Sequence, residues 1–94
     1  MAVYAQTAAG YLTGVSSGQG DAVDGRSARL SARERDVLAG LATGHSTEQI
    51  GLALQMSPHT VRTHLRNIMR KLDARTRAHA VAIAIGDGAI DPPA

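Results

Sequence analysis

Three arginines, Arg62, Arg66 and Arg70, recur at every fourth position within the stretch SPHTVRTHLRNIMRKL, from Ser57 to Leu72. On a helix they share one stripe, while Val61, Leu65, Ile68 and Leu72 form a second stripe about 130° away at roughly 100° per residue. No acid stands between Ser57 and Leu72, so the cationic row repels itself unless a polyanion lies against it. A duplex nucleic acid is such a polyanion. The planar guanidinium fork matches the O6 and N7 acceptors of guanine in the major groove, which makes Arg62 and Arg66 the candidate base readers. Thr63, between them, can donate, accept or touch a thymine methyl group. Taken alone, an arginine stripe is more simply a solvated surface, and the flanking sequence has to favour the alternative.

The elements needed to position that helix are legible on either side. Ser57 suits an N-cap and Pro58 the first helical position, where a missing N–H costs nothing. Upstream, Ser31 and Glu34 have capping-box spacing, and Val37, Leu38, Leu41 and Ala42 follow at helical period until Gly44. A second box, Ser46 with Gln49, opens a short helix with Ile50, Ala53 and Leu54 on its apolar face. Gln55-Met56-Ser57 then makes a three-residue turn, so the pair reads as a helix-turn-helix. Gly51, in mid-helix, reads either as a point of close approach or as a tolerated weak spot. Downstream, the spacing predicts a fourth helix over Arg75 to Ile85, stopped by Gly86 and Gly88. Ala78, Val81, Ala82 and Ile85 mark one face of it and Ala80, Ile83 and Ala84 another. An apolar surface on both sides implies a partner subunit.

From Leu30 to Ala84 the sequence resembles the four-helix DNA-binding domain of the LuxR/GerE class, which also terminates NarL-type response regulators. The resemblance is carried by Leu30-Ser31, Arg33-Glu34, Val37-Leu38, Leu41-Ala42, Gly44, Ser46, Ile50, Leu54, Ser57, Thr60-Val61, His64-Leu65, Ile68, Lys71-Leu72, Arg77 and Ala80-Val81. It implies an all-α fold and a bacterial transcription regulator whose third helix reads the major groove, as a dimer on two half-sites. By that resemblance the base contacts fall on Arg62, Thr63 and Arg66, and the backbone contacts on Ser46, Thr47, Thr60, Arg70, Lys71 and Arg75. Dimer contacts through the fourth helix fall on Ala80, Ile83 and Ala84, and RNA polymerase is a further partner the class admits. Three positions depart from the pattern: Thr47 stands where asparagine is common, Gly51 where alanine is common, and Asp73-Ala74 where Gly-Val often follows the third helix.

Composition narrows the alternatives. From Pro58 to Arg77 six basic side chains face one acid, Asp73, a net of about +5 by count, although the whole chain carries only +2. The charge is gathered where docking needs it. His45, His59, His64 and His79 lack zinc-site spacing, and there is no cysteine, so no metal or other cofactor is expected. His64 is expected half-buried, and Met56 and Met69 as filler. No nucleophile–base set or phosphate-cradling glycine loop can be assembled, so an enzyme is not expected. No stretch approaches the ~20 apolar residues that span a bilayer, and no signal peptide is legible, in keeping with the bacterial cytoplasm. The two tyrosines, Tyr4 and Tyr11, are the only aromatic residues, so the core must be aliphatic.

The expected organisation is a flexible Gly/Ala/Ser-rich tail over 1–29, the helix-turn-helix domain over 30–90 and a short tail over 91–94. A turn or short helix near Ala2 to Leu12 is also expected, and Ala8 to Thr13 resembles the Gly-Tyr-Leu stretch near the end of receiver domains. The N-terminal block is too short for a phosphorylatable aspartate pocket or a ligand-binding domain. Two other functions share parts of the pattern. A module that pairs with a longer relative and titrates it needs the fourth helix but not the arginines. A sigma-factor promoter-binding domain has the helix-turn-helix but normally lacks the fourth helix with its Arg77-Ala78-His79-Ala80-Val81 stretch.

Overall fold

The computed structural model describes residues 23–93, and the expectations for residues 1–22 fall outside them. A 3-10 helix, Gly25–Arg29, precedes four α-helices: α1 (Ala32–Ala42), α2 (Thr47–Leu54), α3 (Pro58–Leu72) and α4 (Arg77–Gly86). No strand occurs among the described residues. The expected boundaries hold for α1 to α3 because the caps that predicted them form. Ser31 Oγ accepts from the Glu34 N–H while the Glu34 carboxylate accepts from the Ser31 N–H, and Ser46 and Gln49 repeat the arrangement. Ser57 Oγ accepts from the Thr60 N–H, with Pro58 in the first turn. The fourth helix begins two residues later than its periodicity suggests. Thr76 caps it by accepting from the His79 N–H, which leaves Arg75 in the connection.

Both α2 and α3 end on a residue in the left-handed region: Gln55 at φ 58° and Asp73 at φ 51°. Asp73 thus supplies the C-cap that a glycine would otherwise provide, and the Ala74 N–H reaches back to the Met69 carbonyl at 3.0 Å. Gly51 is a point of close approach. A Cβ there would lie 2.5 Å from the Met56 carbonyl oxygen, so the turn can close against α2 only because the side chain is missing.

The core is wholly aliphatic. Leu30, Val37, Leu38, Ile50, Leu54, Val61, Leu65, Ile68 and Leu72 are buried together with Ala80, Ala84, Ala89 and Ile90. Met56 and Met69 pack at its edge as filler. α3 lies across α1 and α2, and α4 packs on α1 and α3.

Two expectations are corrected by this packing. Ala80 and Ala84 are fully buried in the domain's own core and Ile83 packs against it, so the face assigned to a dimer partner is the inward face of α4. Alanines four apart present a flat strip that lets α4 lie close on the rest of the domain. The outward face is Ala78 and Ala82, exposed, flanked by the half-buried Val81 and Ile85. The second correction concerns residues 23–29, expected as the end of a flexible tail. The Asp24 N–H donates to the Asp87 carbonyl at 2.9 Å, Ser27 is 1% exposed, and Leu30 enters the core. Few large apolar residues are needed to order this segment because hydrogen bonds hold it.

Candidate nucleic-acid interface

α3 presents its arginines as the spacing requires. Val61, Leu65, Ile68 and Leu72 are buried, which turns Arg62, Arg66 and Arg70 to solvent. Arg62 and Arg66 make no hydrogen bond or ion pair among the described residues, whereas Arg70 Nη2 donates to Asn67 Oδ1 at 3.2 Å. Thr63 is half-buried and its hydroxyl donates to the His59 carbonyl at 3.1 Å, so it retains acceptor capacity and a methyl group to offer. His64, beside the apolar stripe, is half-buried.

The residues expected at the phosphate backbone divide into two groups. Ser46 and Thr60 are exposed at helix starts, beside N–H groups that have no intrahelical partner. Ser46 Oγ is used as an acceptor from the Gln49 N–H, which leaves its hydroxyl proton to donate. Thr60 Oγ1 lies 3.0 Å from Ser57 Oγ. Arg75, in the connection after α3, is exposed, with its backbone N–H donating to His79 Nδ1 at 3.2 Å, and Arg77 at the start of α4 is exposed as well. By contrast, Thr47 is buried and its hydroxyl donates to Glu48 Oε1 at 2.6 Å.

Lys71 is also committed elsewhere. Its Nζ donates to Glu34 Oε1 at 2.7 Å, and the Glu34 side chain is only 5% exposed against 33% for the lysine. The same carboxylate oxygen accepts from the Ser31 N–H at 2.8 Å. Burial pushes the Glu34 carboxyl up, but the bonds from Lys71 and Ser31 together with the lysine charge outweigh it and hold it below its ordinary value. Lys71 therefore locks the end of α3 to the start of α1. The helical wheel contains a signal for this, since Lys71 falls about 140° from the arginine stripe at roughly 100° per residue. No comparable signal in the sequence pairs it with Glu34, 37 positions away.

A shallow hollow of apolar character lies between α2 and the start of α3, bordered by Glu48, Gly51, Leu52, Gln55, Met56 and Pro58, with Leu52 58% exposed. It carries no cluster of polar groups suited to catalysis. Among the described residues no group of His, Asp or Glu has the arrangement of a metal site, and no helix is long and apolar enough to cross a membrane.

A brace helix, a three-residue turn and a second helix whose exposed face carries unpaired arginines define a helix-turn-helix module. The chain belongs to the luxR family of bacterial regulatory proteins (GerE), whose profile matches residues 28–84. It is 45% identical over 62 residues to the HTH-type transcriptional activator RamA of Corynebacterium glutamicum, covering 66% of this chain and 22% of that protein. It is 46% identical over 54 residues to the nitrate/nitrite response regulator protein NarP of Escherichia coli, covering 57% and 25%. With the probable transcriptional regulatory protein NarL of Mycobacterium tuberculosis it shares 44% identity over 62 residues, covering 66% and 29%. The chain thus spans about a quarter of the length of these relatives. No solved structure matches it.

Proposed function

We propose that this chain binds double-stranded DNA with sequence preference in the bacterial cytoplasm and regulates transcription, with α3 as the helix that enters the major groove. The observation that carries the reading is the pair Arg62 and Arg66: exposed, without a partner among the described residues, and one turn apart on a helix whose opposite face is locked into the core. Side chains four apart on a helix are separated by about 5–6 Å at Cβ. That is less than two base-pair rises of ~3.4 Å, so the two forks suit guanines one or two steps apart. Thr63 offers its methyl group and an acceptor between them. Ser46, Thr60, Arg70 and Arg75 set the docking register on the phosphates, while Thr47 and Lys71 act inside the domain.

Two copies on adjacent half-sites fit the expectation of a dimer, and the surface available for it is the exposed strip of α4 at Ala78 and Ala82. The titrating module is the less favoured function because it has no use for unpaired arginines on α3. Selection from a random duplex pool with the full chain tests the reading. An enriched inverted repeat containing guanines supports both DNA reading and pairing, and recovery of no sequence above background overturns it.

A further inference from the structure

We propose that the segment 24–27 is a clasp that positions α3 for docking, with Arg26 as the positioning residue; this rests on α3 being the helix that reads DNA. Arg26 Nη1 donates to the Leu72 carbonyl oxygen at 2.7 Å and lies 4.0 Å from Asp73 Oδ2. Leu72 closes α3, where the last carbonyls have no intrahelical donor, so the guanidinium supplies a bond and a favourable charge at the negative end of the helix dipole. The same segment is fastened to α4. The Asp24 N–H donates to the Asp87 carbonyl at 2.9 Å and the Ser27 N–H to Asp87 Oδ2 at 3.1 Å, and Asp87 is the C-cap of α4.

One short turn of chain is therefore bonded to the C-terminal ends of both helices. Gly25 makes this possible, since its φ is +62° and a Cβ there would lie 2.7 Å from Asp87 Oδ1. The family profile covers residues 28–84, so Arg26 and Asp87 lie on opposite flanks of the shared domain. The clasp thus ties two residues outside the matched stretch to Leu72 inside it.

Its mechanical effect follows from length. A helix of 15 residues is about 22 Å long, so a tilt of about 3° about one end moves the other by about 1 Å. Base readout by a fixed fork tolerates roughly 0.5 Å. The turn after α2 fixes the start of α3, Lys71 and the clasp fix its end, and the clasp is the fastening that reaches α3 from outside the four-helix body.

The test compares the full wild-type chain with Arg26→Ala and Arg26→Lys on a duplex chosen by selection with the wild type. Arg26→Ala should weaken binding by roughly five- to tenfold, leave the slope of affinity against salt unchanged, and raise amide hydrogen exchange at Asp73 and Ala74. Arg26→Lys, which keeps a donor and the charge, should recover part of the affinity. Unchanged affinity in Arg26→Ala overturns the clasp. A salt slope reduced by about 0.9 also overturns it, because Arg26 would then be a phosphate contact in its own right. So does a loss of affinity fully accounted for by unfolded protein in a urea titration. A wild-type chain that selects no duplex is a different result, which overturns the DNA reading and the clasp's purpose with it.

Discussion

Replacing Lys71 by methionine separates a structural lysine from one that touches phosphate. Methionine keeps most of the apolar stem and removes the ammonium that donates to Glu34 Oε1 at 2.7 Å. The Glu34 carboxylate stays 5% exposed, with the N–H of Ser31 as its remaining donor at 2.8 Å. Leaving a buried charged acceptor without its counter-ion costs 3–5 kcal/mol when both partners are deeply buried. Lys71 is one-third exposed, so water relieves part of that, and about 2 kcal/mol is expected. For a domain of this size that lowers Tm by roughly 8–16 °C.

The pH dependence gives the loss a second signature. In the wild type the folded Glu34 carboxyl sits below its ordinary value, so its stabilising contribution is complete above the ordinary glutamate range and disappears as pH falls through the folded value. In the variant the buried carboxylate is penalised at neutral pH and relieved by protonation. The stability difference should therefore be largest near pH 7 and shrink on acidification to about pH 3, as urea titrations followed by circular dichroism would show. A variant with an unchanged urea midpoint, whose DNA affinity instead loses about 0.9 from its salt slope, would refute the assignment and return Lys71 to the phosphate backbone.

Other outcomes are equally specific. Arg62→Ala and Arg66→Ala should each cost about 1–3 kcal/mol on a selected site and relax the preference for one base there, measured by binding to single-base variants of the duplex. Gln55→Gly should stabilise the domain by about 1 kcal/mol, read as a higher urea midpoint at constant slope, because Gln55 holds the left-handed region at φ 58°. Ala84→Leu should destabilise the isolated domain by about 1–3 kcal/mol through overpacking, whereas Ala82→Asp should cost only the helix-propensity difference of about 1 kcal/mol, leaving the domain folded, and abolish cooperative occupation of paired half-sites in a gel-shift titration.

The helical framework was legible in the sequence because local chemistry fixes it. Ser31, Ser46 and Ser57 stand where caps belong, and an apolar period of 3.6 leaves little choice about which face of α3 is buried. The resemblance carried by residues from Leu30 to Ala84 added the fourth helix to a recognisable family fold. What escaped were interactions between residues distant in sequence. Nothing local tells which apolar face of α4 turns inward, since both are small and aliphatic, and packing against α1 and α3 decides for Ala80 and Ala84. Residues 23–29 escaped for a related reason: hydrogen bonds to Asp87, some 60 positions away, order them, and no apolar period announces such bonds.

The aliphatic core has a spectroscopic consequence. With no phenylalanine or tryptophan in the chain and its two tyrosines at positions 4 and 11, the body formed by residues 23–93 contains no chromophore absorbing above the peptide and histidine bands. Tyrosine emission and tyrosine near-ultraviolet dichroism therefore arise from positions 4 and 11. Those two positions are a built-in optical label, read without attaching a dye, while unfolding of the helices is followed in the peptide band.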